Sequence, residues 1–126
     1  EISSCDWSSD VCSSDLARPQ GSVTNIVNAG RLRFKESDRL HAVTAVLFGL
    51  GADIEKQKAS LRIRTARKLK SGTADSFGDH RIAMMAACAA CISEAPVIIT
   101  GADAVNKSYP AFFEEYQKLG GKIQWL

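Results

Sequence analysis

The chain predicts an α/β (α+β) fold with helices packed on a mixed sheet, and three observations carry that reading. Short β-branched runs recur at Ser22–Asn28, Ser60–Thr65 and Val97–Thr100. Between them, apolar residues recur at helical spacing, most clearly Leu40, Val43, Leu47 and Leu50. Capping residues open these segments, and glycines or short turns close them.

Taken in order, SVTNIVN (Ser22–Asn28) reads as a strand that stops near Gly30. Ser37 as N-cap and Asp38 near the first helical position start a helix that Gly51 ends. Gly49 in its last turn costs about 1 kcal/mol against alanine and predicts fraying. Asp53–Lys56, a turn at Gln57–Ala59 and Ser60–Thr65 form a hairpin, with Leu61 and Ile63 on one face and Arg62 and Arg64 on the other. The stretch 67–78 has no period and reads as a loop. A second helix runs from near Asp79 to about Ser93, and its alanines at 83, 86, 87, 89 and 90 invite close packing. Pro96 precedes a strand at Val97–Thr100, closed by Gly101. Pro110 suits a first helical turn, followed by an apolar stripe of Phe112, Phe113, Tyr116 and Leu119. Lys122–Leu126 completes the order as a last strand with Ile123 and Trp125 on one face.

At 126 residues, 45% hydrophobic and 24% charged, the chain matches one small domain or part of a larger one. The longest apolar stretch, Ile82–Ile92, is too short to span a bilayer. No cationic, apolar signal opens the chain, so the expected location is cytoplasmic, without membrane partners. Residues 1–16 differ from the rest: CDWSSDVCSSDL (5–16) has no hydrophobic period and is similar to a translated sequencing adapter. This segment is expected to be a non-native, disordered and dispensable leader, with residues 17–126 forming the domain. Four of the 14 acids lie in it and all 16 Lys and Arg lie after it, so residues 17–126 carry +6, a field that favours anionic partners. Cys88 and Cys91 form C-A-A-C in the Ala-rich helix, without a second pair or a histidine at zinc spacing. They are expected as small buried core thiols, with no disulfide and no metal.

Three islands carry the chemistry: KESDR (35–39), DHR (79–81) and NKSYP (106–110). They supply one carboxylate, Glu36, one imidazole, His80, and four cations, Lys35, Arg39, Arg81 and Lys107. Each island sits by a helix start or a strand-end turn, where backbone N–H groups and loops meet ligands. Arginine forks grip carboxylate and phosphate in a bidentate way, and lysine adds a point charge. A carboxylate between cations is held ionised yet exchanges protons with a bound ligand, the requirement for acid–base catalysis. The set therefore suits a small substrate dense in carboxylate and phosphate, on one open face.

The same islands in this order, and the sequence between them from about Gly21 to Gly121, resemble the C-terminal part of the 5-enolpyruvylshikimate-3-phosphate (EPSP) synthases, also called 3-phosphoshikimate 1-carboxyvinyltransferases. DHRIAM and NKSYPAFFE are the most specific matches. The resemblance implies an incomplete enolpyruvyl-transferase-type domain built from βαβαββ units. It implies transfer of the enolpyruvyl group of phosphoenolpyruvate to shikimate 3-phosphate, in aromatic amino acid (chorismate) biosynthesis. By resemblance, Glu36 handles the proton at the methylene carbon and His80 neighbours the reacting centre. Arg39 and Arg81 bind the phosphoenolpyruvate carboxylate, Lys107 its phosphate, and Lys35 contacts shikimate 3-phosphate. No cofactor is implied, and the whole enzyme is expected to be a monomer. The family's N-terminal domain, and the aspartate that precedes KESDR and assists the shikimate hydroxyl, have no counterpart here, so the isolated chain is expected to be inactive. Sugar-nucleotide enolpyruvyl transferases (the UDP-N-acetylglucosamine type) share the chemistry but differ at DHR and KSYP. A basic nucleic-acid module over Arg62, Arg64, Arg67, Lys68 and Lys70 lacks interleaved aromatics.

Overall fold

A computed structural model describes residues 2–3, 21–35, 37–64 and 69–126. Strand β1 (Ile2–Ser3) runs parallel to β2 (Val23–Val27), pairing Ile2 with Ile26 and Ser3 with Val27. The rest of the proposed leader lies outside the described residues. Strands β3 (Asp53–Lys56) and β4 (Leu61–Arg64) form the expected hairpin, from Asp53 opposite Arg64 to Lys56 opposite Leu61. β2 joins β4 antiparallel, giving the sheet order β1-β2-β4-β3. Alternation sets its faces: Thr24, Ile26, Leu61 and Ile63 are buried, while Asn25, Arg62 and Arg64 point outward.

Helix α1 (Arg39–Gly49) lays its stripe on this sheet; Leu40, Val43, Leu47 and the C-terminal Leu50 are fully buried. Its N-cap is Asp38, whose Oδ1 accepts from the His41 amide at 3.2 Å. Ser37, read from sequence as the cap, sends its hydroxyl elsewhere. Gly51, at φ +87°, turns the chain out of the helix in a conformation that glycine alone adopts cheaply.

A second, parallel pair joins β5 (Gly72–Asp75) to β6 (Val97–Thr100). β5 corrects the loop expected over 67–78. Gly-Thr-Ala-Asp has little strand propensity and only Ala74 is buried, so the strand exists through pairing with β6 and leaves no local pattern. Helix α2 (His80–Ala90) faces the main core with Ile82, Met85, Ala86 and Ala89. On its other side Ala83 and Ala87 receive Val105, from a 3₁₀ segment at Ala102–Lys107, and Phe113 of helix α3 (Phe112–Lys118).

Three further expectations are corrected. Leu119 lies beyond α3 and is 89% exposed. Residues 122–126 form no strand; Trp125 packs its ring edge-on against Phe113 at 5.4 Å instead. Cys88 and Cys91 are exposed, because α2 buries its alanines, not its thiols. No helix among the described residues is long and apolar enough to cross a membrane.

Candidate active site

The starts of α1 and α2 are tied together by side chains. The Arg39 guanidinium forks onto Asp79, with Nε donating to Oδ2 at 2.6 Å and Nη2 to Oδ1 at 3.1 Å. The Ser37 hydroxyl donates to the same Oδ2 at 2.8 Å. Asp79 is also the N-cap of α2, its Oδ1 accepting the Arg81 amide at 3.0 Å. One fully buried carboxylate thus holds both helix ends. Burial alone would push the Asp79 carboxyl up, but the Arg39 and Ser37 hydrogen bonds, the Arg81 amide and the Arg39 charge outweigh it. The carboxyl is held below its ordinary range.

Lys107 reaches the same place from the other side. Its Nζ donates to the Gly78 carbonyl at 2.7 Å, one residue before Asp79. Two left-handed residues, Phe77 at φ +53° and Gly78 at φ +67°, form the turn that presents this carbonyl. Such a backbone is rare for a bulky residue and needs support. The Phe77 amide finds it in Asp75 Oδ1 at 2.9 Å, and the Phe77 ring lies edge-on to His41. The segment carrying Lys107 starts at Gly101, φ +66°, where a Cβ would come within 2.5 Å of Ser76 Oγ. That hydroxyl donates to the Gly101 carbonyl at 2.9 Å, so glycine is required to bring the Lys107 segment against the turn.

Arg39 through its guanidinium, Lys107 through its ammonium and Arg81 through its backbone amide, residues that span 69 positions of sequence, thus all meet residues 78–79. They are not equally open. Arg39 is 6% exposed and two of its five donors engage Asp79, whereas Lys107 is exposed and Arg81 half-buried. His80 is buried beside them, Nδ1 lying 4.0 Å from Asp79 Oδ1. Lys35 is exposed just ahead of Ser37. Glu36 lies outside the described residues. Two clefts among the described residues, of about 350 and 470 Å³, are lined elsewhere, around Phe113 and Trp125 and around Arg33 and Phe34. Of the four cations, Lys35 and Lys107 are open to solvent, whereas Arg39 is buried.

Sequence reading passed over Asp79 and gave Ser37 the wrong partner. An acid directly before a helix, one island away from a buried-helix arginine, was the available signal for Asp79. Its partner 40 residues earlier was not marked by any local pattern.

The described residues thus form a two-sheet α/β domain in which Arg39, Asp79 and Lys107 tie two helix starts and a turn together. Residues 15–116 match the family described as EPSP synthase (3-phosphoshikimate 1-carboxyvinyltransferase), and the chain belongs to that family. Relatives named 3-phosphoshikimate 1-carboxyvinyltransferase include a Clostridium kluyveri protein, 45% identical over 111 residues, 87% of this chain and 26% of that protein. A Clostridium novyi protein of the same name is 50% identical over 104 residues, 82% and 24% of the two chains. Among solved structures, an EPSP synthase from Acinetobacter baumannii superimposes with a TM-score of 0.82 at 29% identity, covering 91% of this chain and 27% of that one. The chain therefore spans about a quarter of the length of the relatives it matches.

Proposed function

We propose that the chain supplies the phosphoenolpyruvate-binding part of a 3-phosphoshikimate 1-carboxyvinyltransferase. One observation supports the reading: the buried Arg39–Asp79 pair and the Lys107–Gly78 hydrogen bond converge on the turn that opens α2, directly before Arg81. Segments matching the rest of the relatives' length would supply the other contacts, a fuller shikimate 3-phosphate site among them. The reading brings with it small phosphorylated substrates, a monomeric whole enzyme and a cytoplasmic location, all through the family.

In this scheme Arg81 and Arg39 take the substrate carboxylate, with Asp79 fixing the plane of the Arg39 fork. Lys107 exchanges the Gly78 carbonyl for a phosphate oxygen, a stronger partner for an ammonium. Lys35 meets shikimate 3-phosphate. Glu36 delivers a proton to the methylene carbon, the shikimate hydroxyl adds to the adjacent carbon, and the hydroxyl's proton passes to a base on a segment outside this chain. Removal of a proton from the resulting methyl group as phosphate leaves restores the double bond. His80, behind Arg81, borders this centre. A fixed set of charges aimed at the departing phosphate is where most of the rate advantage would arise.

The test is a chimera in which residues 21–126 replace the matching segment of the Clostridium kluyveri relative. Phosphate release that needs both phosphoenolpyruvate and shikimate 3-phosphate is expected, and a folded chimera without it would contradict the proposal. In that chimera Arg81→Ala should raise the KM for phosphoenolpyruvate roughly ten- to a hundredfold, since a hydrogen bond to a charged group contributes about 1.5–3 kcal/mol. Unchanged KM would remove Arg81 from the carboxylate site.

A further inference from the structure

Outside the candidate site, α2 ends in an arrangement suited to sulfur chemistry. Its last turn is tightened: the Cys91 amide donates to the Cys88 carbonyl at 3.1 Å, Ile92 to Ala89 at 3.2 Å, and Ser93 to Ala90 at 3.2 Å. These are bonds of 3₁₀ type, in which side chains three apart eclipse each other. Cys88 and Cys91 are therefore on one helix face, where helix geometry puts Cα atoms three residues apart about 5–6 Å from each other. A disulfide spans about 4.4–6.8 Å. Neither cysteine is in a disulfide, and both are exposed. Cys91 Sγ also lies 3.3 Å from the Tyr116 hydroxyl, which donates to the Ala87 carbonyl at 3.0 Å. That pair of contacts fastens α3 to the end of α2.

We propose that Cys88 and Cys91 form a thiol-modification site that closes to an intrahelical disulfide by exchange with a low-molecular-weight disulfide, and that closure releases Tyr116 from Cys91. In the first step one cysteine, having given its proton to solvent, attacks a sulfur of the small disulfide. The S–S bond breaks, leaving a mixed disulfide on the protein and one thiolate. The second cysteine, likewise deprotonated, attacks the protein sulfur of that mixed disulfide and expels the second thiolate. The cysteine pair has lost two electrons and the small disulfide has gained them. Two cysteines three residues apart on one helix make the second step intramolecular, which favours closure over a lasting adduct.

The experiment treats the full chain with oxidised glutathione, followed by tryptic mapping under non-reducing, thiol-blocked conditions. Cleavage after Arg81 and Lys107 yields one peptide holding Cys88 and Cys91 and no other cysteine, since Cys5 and Cys12 fall elsewhere. The expected product is that peptide lighter by two hydrogens, without glutathione, and restored by dithiothreitol. Cys88→Ser and Cys91→Ser should each trap a glutathione adduct on the remaining thiol. A stable adduct on the parent chain, or alkylatable thiols at both positions after treatment, would overturn the site. Amide exchange over Phe112–Lys118 should quicken in the disulfide form, and unchanged exchange would overturn the coupling to Tyr116.

Discussion

Glu36→Gln in the chimeric enzyme is expected to lower turnover by about 10²–10⁴-fold while phosphoenolpyruvate binding changes little. The substitution keeps the size and hydrogen-bonding outline of the side chain and removes its ability to carry a proton. In the proposed scheme that proton goes on and comes off the methylene carbon, so both halves of the reaction lose their acid and base. Arg81→Ala should behave in the opposite way, with a larger effect on KM than on turnover. Near-normal turnover in Glu36→Gln with collapsed binding would make Glu36 an electrostatic organiser of Lys35 and Arg39, and the acid–base assignment would fall even with the family assignment intact.

The second large effect falls on stability. Asp79→Ala leaves the Arg39 guanidinium buried without its counter-charge, which costs about 3–5 kcal/mol, and removes the cap of α2, about 1 kcal/mol more. Against a domain stability of about 5–15 kcal/mol this is a large share. Thermal unfolding of the 126-residue chain should report a midpoint lower by roughly 12 °C or more. Asp79→Asn keeps an oxygen for the Arg81 amide and should recover the cap contribution only. The pH dependence has a definite sign. Because the folded carboxyl lies below its unfolded value, the unfolded chain takes up the proton first, and the stabilisation is complete above about pH 4 and lost as pH falls through the folded value. Asp79→Asn should flatten that acid limb. A variant within 1 kcal/mol of the parent would show that the Arg39–Asp79 pair merely offsets its own desolvation.

What could be read from sequence follows the range of the physics. Leu40, Val43, Leu47 and Leu50 announced α1 because a helix repeats its burial every turn, and Leu61 and Ile63 announced β4 because a half-buried strand alternates. β5 left no such trace, since Gly72–Asp75 is held by the neighbouring backbone. Lys122–Leu126 alternates like a strand yet has no partner among the described residues, and pattern without pairing does not make a sheet. At the candidate site, the islands were legible as helix starts and turns, while the contacts between them were not. Arg39 was read as an open anion-binding group, and its burial on Asp79 depends on two helix starts meeting across 40 residues. Asp79 looked like part of a helix start, and it is also the brace between islands.

The claim that KESDR, DHR and NKSYP form one anion-binding face is tested most directly by backbone-amide NMR of the chimera, titrated with phosphoenolpyruvate in the absence of shikimate 3-phosphate, so that no turnover consumes the ligand. The amides of Ser37, Arg81 and Lys107 are predicted to shift together along curves that share one dissociation constant. Shifts confined to one island, or three different dissociation constants, would contradict a shared site.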